Sequence, residues 1–320
     1  MERKFSFSKI LNYATCPMLH YYRDVVHVFP GRKAKALSLG NCMSEALRKY
    51  RSTGSLEEAS DGFKAAWISD GKILRVESDP EDPKDFRTVR RALEILEEYV
   101  IEYPDDPDNV VRPEVSFEIK AGTVRGYDII LNGRIDGVML STQKRPQIIE
   151  DKTTTRLGPS FFVQLGGSLQ IGLYLWAANE YGLFEIGGKR TTPTCLMSAV
   201  RIHPKESKFM RDVAIKSRDT LNGFKDNALK WIDRMIASEE ESIYPLNDID
   251  NSICIKYGGC DYALLKYVSS KVKKTLLKNE FIIKTKEDNR VSVDEKGEKK
   301  IIKGKYVTKP ITDETVLPLL

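Results

Sequence analysis

The chain has 320 residues, 41% of them hydrophobic and 30% charged, enough to bury a substantial core in one large or two smaller domains. Its net charge of +5 is concentrated at the end: residues 271–320 carry 13 Lys and Arg against 8 Asp and Glu, so the rest balances to zero and a basic C-terminal segment could meet nucleic acid. No apolar run reaches the roughly 18 residues of a membrane span, the N-terminus lacks the apolar core of a signal peptide, and five scattered Cys argue against a secreted disulfide framework; a cytoplasmic protein is expected.

In chain order, Ser6 or Ser8 can cap a first helix, and Cys16-Pro17 suggests a break and a new helical start. Tyr13, Tyr21 and Tyr22 lie close to Lys9 and Arg23; they could stack on single-stranded bases, although a core role is the commoner one for such residues. Residues 36–50 predict a helix with Ala36, Leu39, Met43, Ala46, Leu47 and Tyr50 on one face. Residues 56–69 repeat the pattern, Asp79–Pro83 reads as a linker, and Phe86, Val89, Leu93, Leu96 and Val100 predict an amphipathic helix ended by Tyr103-Pro104.

The pattern then becomes Val- and Ile-rich. Residues 112–120, 124–140 and 146–152 predict strands, and Asn132-Gly133 reads either as a hairpin tip or as a bulge within one strand, the second being favoured. A helix is expected near 163–180, a strand over 193–202, a long helix over 206–237, and a short helix with two Cys over 253–267. Beyond 271, Phe281-Ile282-Ile283 and Ile301-Ile302 flank Asp294–Gly297 in a hairpin-like pattern.

The chemistry-bearing residues concentrate in 133–174. Asp136 precedes Glu150-Asp151-Lys152-Thr153, and Gln170 and Tyr174 follow four apart. Two carboxylates on neighbouring strands can hold Mg²⁺ while leaving positions for water and phosphate. Residues i and i+2 of a strand share a face, so Lys152 falls beside Glu150, where its ammonium can orient water or offset transition-state charge. Asp151 points away, with only its carbonyl oxygen in reach of the metal. Gln170 and Tyr174 share a helix face and can position Lys152 or bind phosphate.

This set resembles the PD-(D/E)XK nuclease superfamily, specifically its RecB/Cas4-like branch. The matching motifs are a Gly-x-x-Asp strand (Gly133, Asp136), an Asp/Glu-x-Lys-Thr strand (Glu150 to Thr153), a Gln-x-x-x-Tyr helix (Gln170, Tyr174) and a Ser and Cys-Pro opening (Ser8, Cys16, Pro17). Glu114 resembles the acid at the start of the branch's first core strand and is a further candidate ligand. The resemblance implies an α/β fold with a restriction-endonuclease-like core, a mixed central sheet flanked by helices. The expected organisation is a helical N-terminal region (1–104), the nuclease core (105–270) and a small basic C-terminal β appendage (271–320).

The function implied is that of a Mg²⁺- or Mn²⁺-dependent DNA exonuclease in recombination, repair or phage DNA processing. A single-strand annealing protein is a partner by family analogy only. A DNA-end binding module with weak or no catalysis, and a sequence-specific endonuclease, are the alternatives. Two departures stand out. Where the family carries a metal-binding His after Gly-x-x-x, this chain has Ser44, and Cys42 and Glu45 are the neighbours that could compensate. Many relatives hold a [4Fe–4S] cluster on four Cys. Cys16, Cys254 and Cys260 fall in suitable places, but the fourth, due near Lys266, is missing, so an intact cluster is not expected; Cys195 reads as a buried small hydrophobe.

Overall fold

The structure, a computed structural model, describes residues 1–31, 35–69, 85–246, 254, 260–286, 290–293, 299–302 and 306–312. The linker expected at 79–83 and the turn at 294–297 lie outside the described residues. In chain order the elements are β1 (Glu2–Ser6), α1 (Phe7–Thr15), α2 (Pro17–His20), a π-helical stretch (Tyr21–Val25), β2 (Val28–Pro30), α3 (Lys35–Thr53), α4 (Leu56–Ser69), α5 (Val89–Glu102), α6 (Asp106–Asn109), β3 (Val110–Arg112), β4 (Val115–Val124), β5 (Tyr127–Ile135), β6 (Gly137–Leu140) and β7 (Pro146–Thr154). There follow α7 (Pro159–Gly166), α8 (Leu169–Glu180), β8 (Glu185–Ile186), β9 (Lys189–Arg190), β10 (Thr194–Arg201), β11 (Lys208–Ile215), α9 (Arg218–Glu241), a 3₁₀ turn (Ala263–Leu265), α10 (Ser270–Glu280), β12 (Phe281–Lys286), β13 (Arg290–Val293), β14 (Lys299–Ile302) and β15 (Tyr306–Pro310).

The chain forms two compact units. The first comprises Met1–Phe7 and Ala34–Ile232. It holds a five-stranded mixed sheet in the order β11-β10-β7-β6-β3 and a three-stranded sheet in the order β1-β5-β4. β7 and β10 run parallel, as do β1 and β5, while the other pairs in these two sheets are antiparallel. Helices flank the sheet because β7 is apolar or paired on both faces: α3 packs on it, and α8 packs on β7 and β10. The predicted helical periodicity buries Leu39, Met43, Leu47 and Tyr50 of α3 with Ala59, Phe63 and Trp67 of α4 and Ile95, Leu96 and Tyr99 of α5 in one core cluster. Ala36 is exposed. Phe86 precedes the α5 cap, where Thr88 Oγ1 accepts from the Arg91 N–H at 3.1 Å.

Several local readings change, among them the helix expected near 163–180, which is two, α7 and α8, with Ser168 capping the second. The long helix expected over 206–237 is a strand followed by a helix: β11 pairs antiparallel with β10 from Arg201↔Lys208 to Thr194↔Ile215, and α9 starts only at Arg218 after Ser217, whose Oγ accepts from the Thr220 N–H. Phe209 and Val213 are four apart, which fits a helix, but the eight-residue ladder with β10 decides for a strand here. Asn132-Gly133 is neither a hairpin tip nor a bulge. The turn lies at Arg125-Gly126, both with positive φ (48° and 79°), and the register shift in this ladder falls in β4 between Lys120 and Gly122. Finally, 124–140 is two strands, which separate at Asp136.

The second unit comprises Ser8–Lys33 and Asp233–Leu320. Cys16 in extended conformation precedes Pro17 at the start of α2, as the Cys-Pro step predicts. Tyr13 and Tyr22 are buried: the Tyr13 hydroxyl donates to the Arg234 carbonyl at 3.1 Å, and Tyr22 stacks on Tyr262. Tyr21 packs on Tyr244, so these tyrosines serve the core. β12 pairs with β15 and β2, and β13 pairs antiparallel with β14, so Ile301-Ile302 lie opposite Arg290-Val291 and not opposite Phe281–Ile283 as expected. Among the described residues no single helix is long and apolar enough to cross a membrane.

Candidate active site

Asp136 occupies the bend where the chain leaves β5 and enters β6, which turns its carboxylate toward β7; its Oδ2 accepts from the Asp151 main-chain N–H at 2.9 Å. Strand alternation puts Glu150 and Lys152 on one face of β7 and Asp151 on the other. Glu150 is only 2% exposed. Its Oε1 accepts from Lys152 Nζ and, at 2.7 Å, from Gln170 Nε2 of α8. Its Oε2 is buried and has no hydrogen-bond partner. An anionic oxygen in that state is costly unless a cation meets it.

The electrostatics follow from burial. Loss of water pushes the Glu150 carboxyl up to about 8, and the Asp136 charge pushes the same way. Burial and the neighbouring Asp151 carry Asp136 up to about 6. Burial alone would lower Lys152, but Glu150 and Asp136 outweigh it, so its ammonium is held above the ordinary lysine value. Burial and Glu150 raise the Tyr174 hydroxyl to about 12, with the Gln170 amide against it. Two acids that resist ionising together, beside one lysine, leave the site short of positive charge.

The residues fit a divalent cation: hard carboxylate oxygens converge, one of them unpartnered, and Mg²⁺ commonly needs only one or two carboxylates because it keeps several waters. Among the described residues no group of three or more His, Cys, Asp and Glu forms a cage. Glu114 does not join the pair; its Oε2 lies 3.2 Å from Arg134 Nε. Ser44 is half-buried on α3. Of the neighbours that could compensate for it, Cys42 is fully buried in the helical core and Glu45 pairs with Arg48.

Gly133 explains itself by packing. A Cβ there would come within 2.7 Å of the Phe117 ring and 3.3 Å of Tyr174, so the glycine lets the Tyr174 ring settle edge-on to Phe117 beside the acids. In the second unit, Cys16, Cys254 and Cys260 line one cavity of about 210 Å³ together with Lys266, whose Nζ stands 4.0 Å from Cys254 Sγ, a cation near where the fourth thiolate was due. The three thiols are free, and burial pushes that of Cys260 up. Cys195 is fully buried in β10.

Sequence reasoning missed the opposite face of β7. There the Asp151 carboxylate accepts both terminal nitrogens of Arg51, with Oδ1 at 2.8 Å from Nη2. Arg51 also donates to the Tyr99 hydroxyl at 2.7 Å and approaches Asp106 at 3.4 Å. Arg211 completes the set, donating to both Asp106 oxygens at 2.9 and 2.6 Å. The only sequence signal was an Arg at the end of an amphipathic helix, too common to single out.

A mixed sheet carrying an acid, an acid-x-Lys strand and a helix Gln over the second acid is the class of site on which metal-dependent nucleases are built. The chain belongs to the PD-(D/E)XK nuclease superfamily, whose family model matches residues 4–264. The restriction-endonuclease-like fold class expected from sequence is the one observed. Among solved structures, the chain is similar to a provisionally assigned exonuclease from Eubacterium rectale, at 11% identity and TM-score 0.47, covering 78% of this chain and 86% of that one. It is also similar to the protein SSO0001, at 12% identity and TM-score 0.29, covering 62% and 73%. No curated protein matches the chain.

Proposed function

We propose that this nuclease is a Mg²⁺- or Mn²⁺-dependent deoxyribonuclease of the RecB/Cas4-like branch, acting exonucleolytically on DNA ends in recombination, repair or phage DNA processing. The observation that carries the reading is the buried Glu150 Oε2, left without a partner beside Asp136 while Lys152 and Gln170 occupy Oε1. A divalent cation held by Asp136, Glu150 and the Asp151 carbonyl would polarise a phosphoryl oxygen and make a bound water more acidic. Gln170 fixes the Glu150 carboxylate so that Oε2 stays turned away from Lys152. Lys152 keeps its proton and faces the same side, where its ammonium offsets phosphate charge or orients water. Tyr174 stays protonated and braces Gln170. The cytoplasm, expected from composition, and a single-strand annealing protein as partner, from the resemblance, are part of the same proposal.

The test is degradation of end-labelled linear duplex in Mg²⁺ or Mn²⁺ by wild type and Lys152→Ala, with a covalently closed circle alongside. Loss of label from the linear substrate by wild type alone supports the reading. Equal inactivity of the two proteins sinks the enzyme assignment, and cutting of the circle points to the endonuclease alternative. Ser44, in place of a metal-binding His, favours one second reading: a DNA-end binding module with weak catalysis. Salt-dependent binding without metal-dependent cleavage would support it.

A further inference from the structure

We propose that Arg51 and Asp151 form a clamp on the back of β7 that positions the acid pair on its front, so that metal affinity depends on a contact that never touches the metal. The inference rests on the reading of Asp136 and Glu150 as cation-holding residues. Asp151 sits between Glu150 and Lys152, and its main chain faces the site: the N–H holds Asp136 Oδ2 at 2.9 Å. Its side chain leaves on the opposite face into the two-pronged grip of Arg51. A planar guanidinium gripping a carboxylate at both oxygens fixes orientation as well as distance. Twisting the strand at Asp151 would therefore break the clamp, and with the clamp intact the N–H to Asp136 and the directions of Glu150 and Lys152 are set together.

The clamp is itself braced. Arg51 is 1% exposed; its Nη2 also donates to the Tyr99 hydroxyl and its Nε to Asp106, and Arg211 neutralises Asp106 from β11. Two Arg, two Asp and one Tyr thus close a balanced network drawn from α3, α5, the start of α6, β7 and β11. α3 meets β7 at a second point, where Gly40 passes so close to Thr153 that a Cβ would lie 3.0 Å from its Oγ1. Apolar residues of similar volume would serve bare stability as well or better than buried charges. What the charged pair adds is a single orientation of the strand segment that carries the acids.

The experiment compares the full-length wild type with Asp151→Asn and Arg51→Lys, and with Arg91→Lys as a control. Arg91 is a buried arginine that ties α5 to the His203 carbonyl and Ser207 without touching β7. Mn²⁺ binding is followed directly by the electron paramagnetic resonance of the free ion, alongside Tm and the kcat and KM for linear duplex. The clamp predicts that Asp151→Asn and Arg51→Lys weaken Mn²⁺ binding about tenfold or more and lower kcat with the DNA KM unchanged. Arg91→Lys should lower Tm while leaving Mn²⁺ affinity within about twofold. Should Arg51→Lys fail to fold, Tyr99→Phe, which removes the hydroxyl that Arg51, Arg211 and Asp106 share, is expected to shift Mn²⁺ affinity in the same direction by less. Wild-type Mn²⁺ affinity in Asp151→Asn, a loss in Arg91→Lys that matches it, or no Mn²⁺ binding by wild type would overturn the inference. Wild type that binds Mn²⁺ but leaves DNA intact would sink the nuclease proposal and leave the clamp standing.

Discussion

The two faces of β7 handle buried charge in opposite ways. On the back, Asp151 and Asp106 are matched by Arg51 and Arg211, and the Arg211 guanidinium, Arg51 and the Tyr99 hydroxyl outweigh burial to hold the Asp106 carboxyl below its ordinary value. On the front, Asp136 and Glu150 share one lysine, burial wins, and both acids are pushed up. One strand thus carries a charge-balanced network, in which only Arg211 Nε is buried without a partner among the described residues, and one short of positive charge, offset by a single residue. A charge-balanced network holds a shape without a ligand; an acid pair short of positive charge favours an added cation, the property expected of a site.

The comparison can be broken from either side. The largest effect is expected on the front: Lys152→Ala should lower the rate of DNA degradation about a hundred- to thousandfold, read from initial rates on labelled duplex, because the ammonium held against Glu150 is gone. Glu150→Gln should abolish cleavage as well, yet raise the Tm of the metal-free protein, since it removes an acid that burial penalises. On the back the sign reverses. Arg51→Met leaves Asp151 buried without its partner and should cost about 3–5 kcal/mol of stability in denaturant unfolding.

The pH response separates the faces next. Glu150 and Asp136 bind protons more tightly folded than unfolded, so metal-free stability is greatest below about pH 4 for these groups and falls as pH rises toward about 8. Asp106 acts oppositely: its contribution is present above the ordinary Asp value and is lost as pH falls through its lowered folded one. Saturating Mn²⁺ should flatten the decline between about pH 6 and 8 and leave the acid limb unchanged, in thermal melts across pH. The smallest effect is expected at Gly133→Ala, about 1–3 kcal/mol, as Phe117 and Tyr174 give way to the added methyl.

Much of this was legible in the sequence because it is local. The apolar spacing of α3, α4 and α5 predicts helices, and Glu150 and Lys152 share a face by strand alternation alone. What was not legible is non-local. Arg51 and Asp151 are 100 positions apart, and nothing near either marks the pairing. Phe209 and Val213 satisfy a helical spacing and still form an edge strand, because pairing with β10 decides the matter. The bend at Asp136 was hidden by continuous β propensity on either side, although that bend is what aims the carboxylate at β7. The Gly133 position was recognised by its motif, but its reason, the Phe117 and Tyr174 rings, lies on β4 and α8.

The most direct test of the central claim is anomalous scattering from crystals of the wild-type protein soaked in Mn²⁺. The account predicts a peak bridging the Asp136 and Glu150 carboxylates, with Glu150 Oε2 as a ligand, and its loss in Glu150→Gln. A peak elsewhere, or none at that pair, would contradict it.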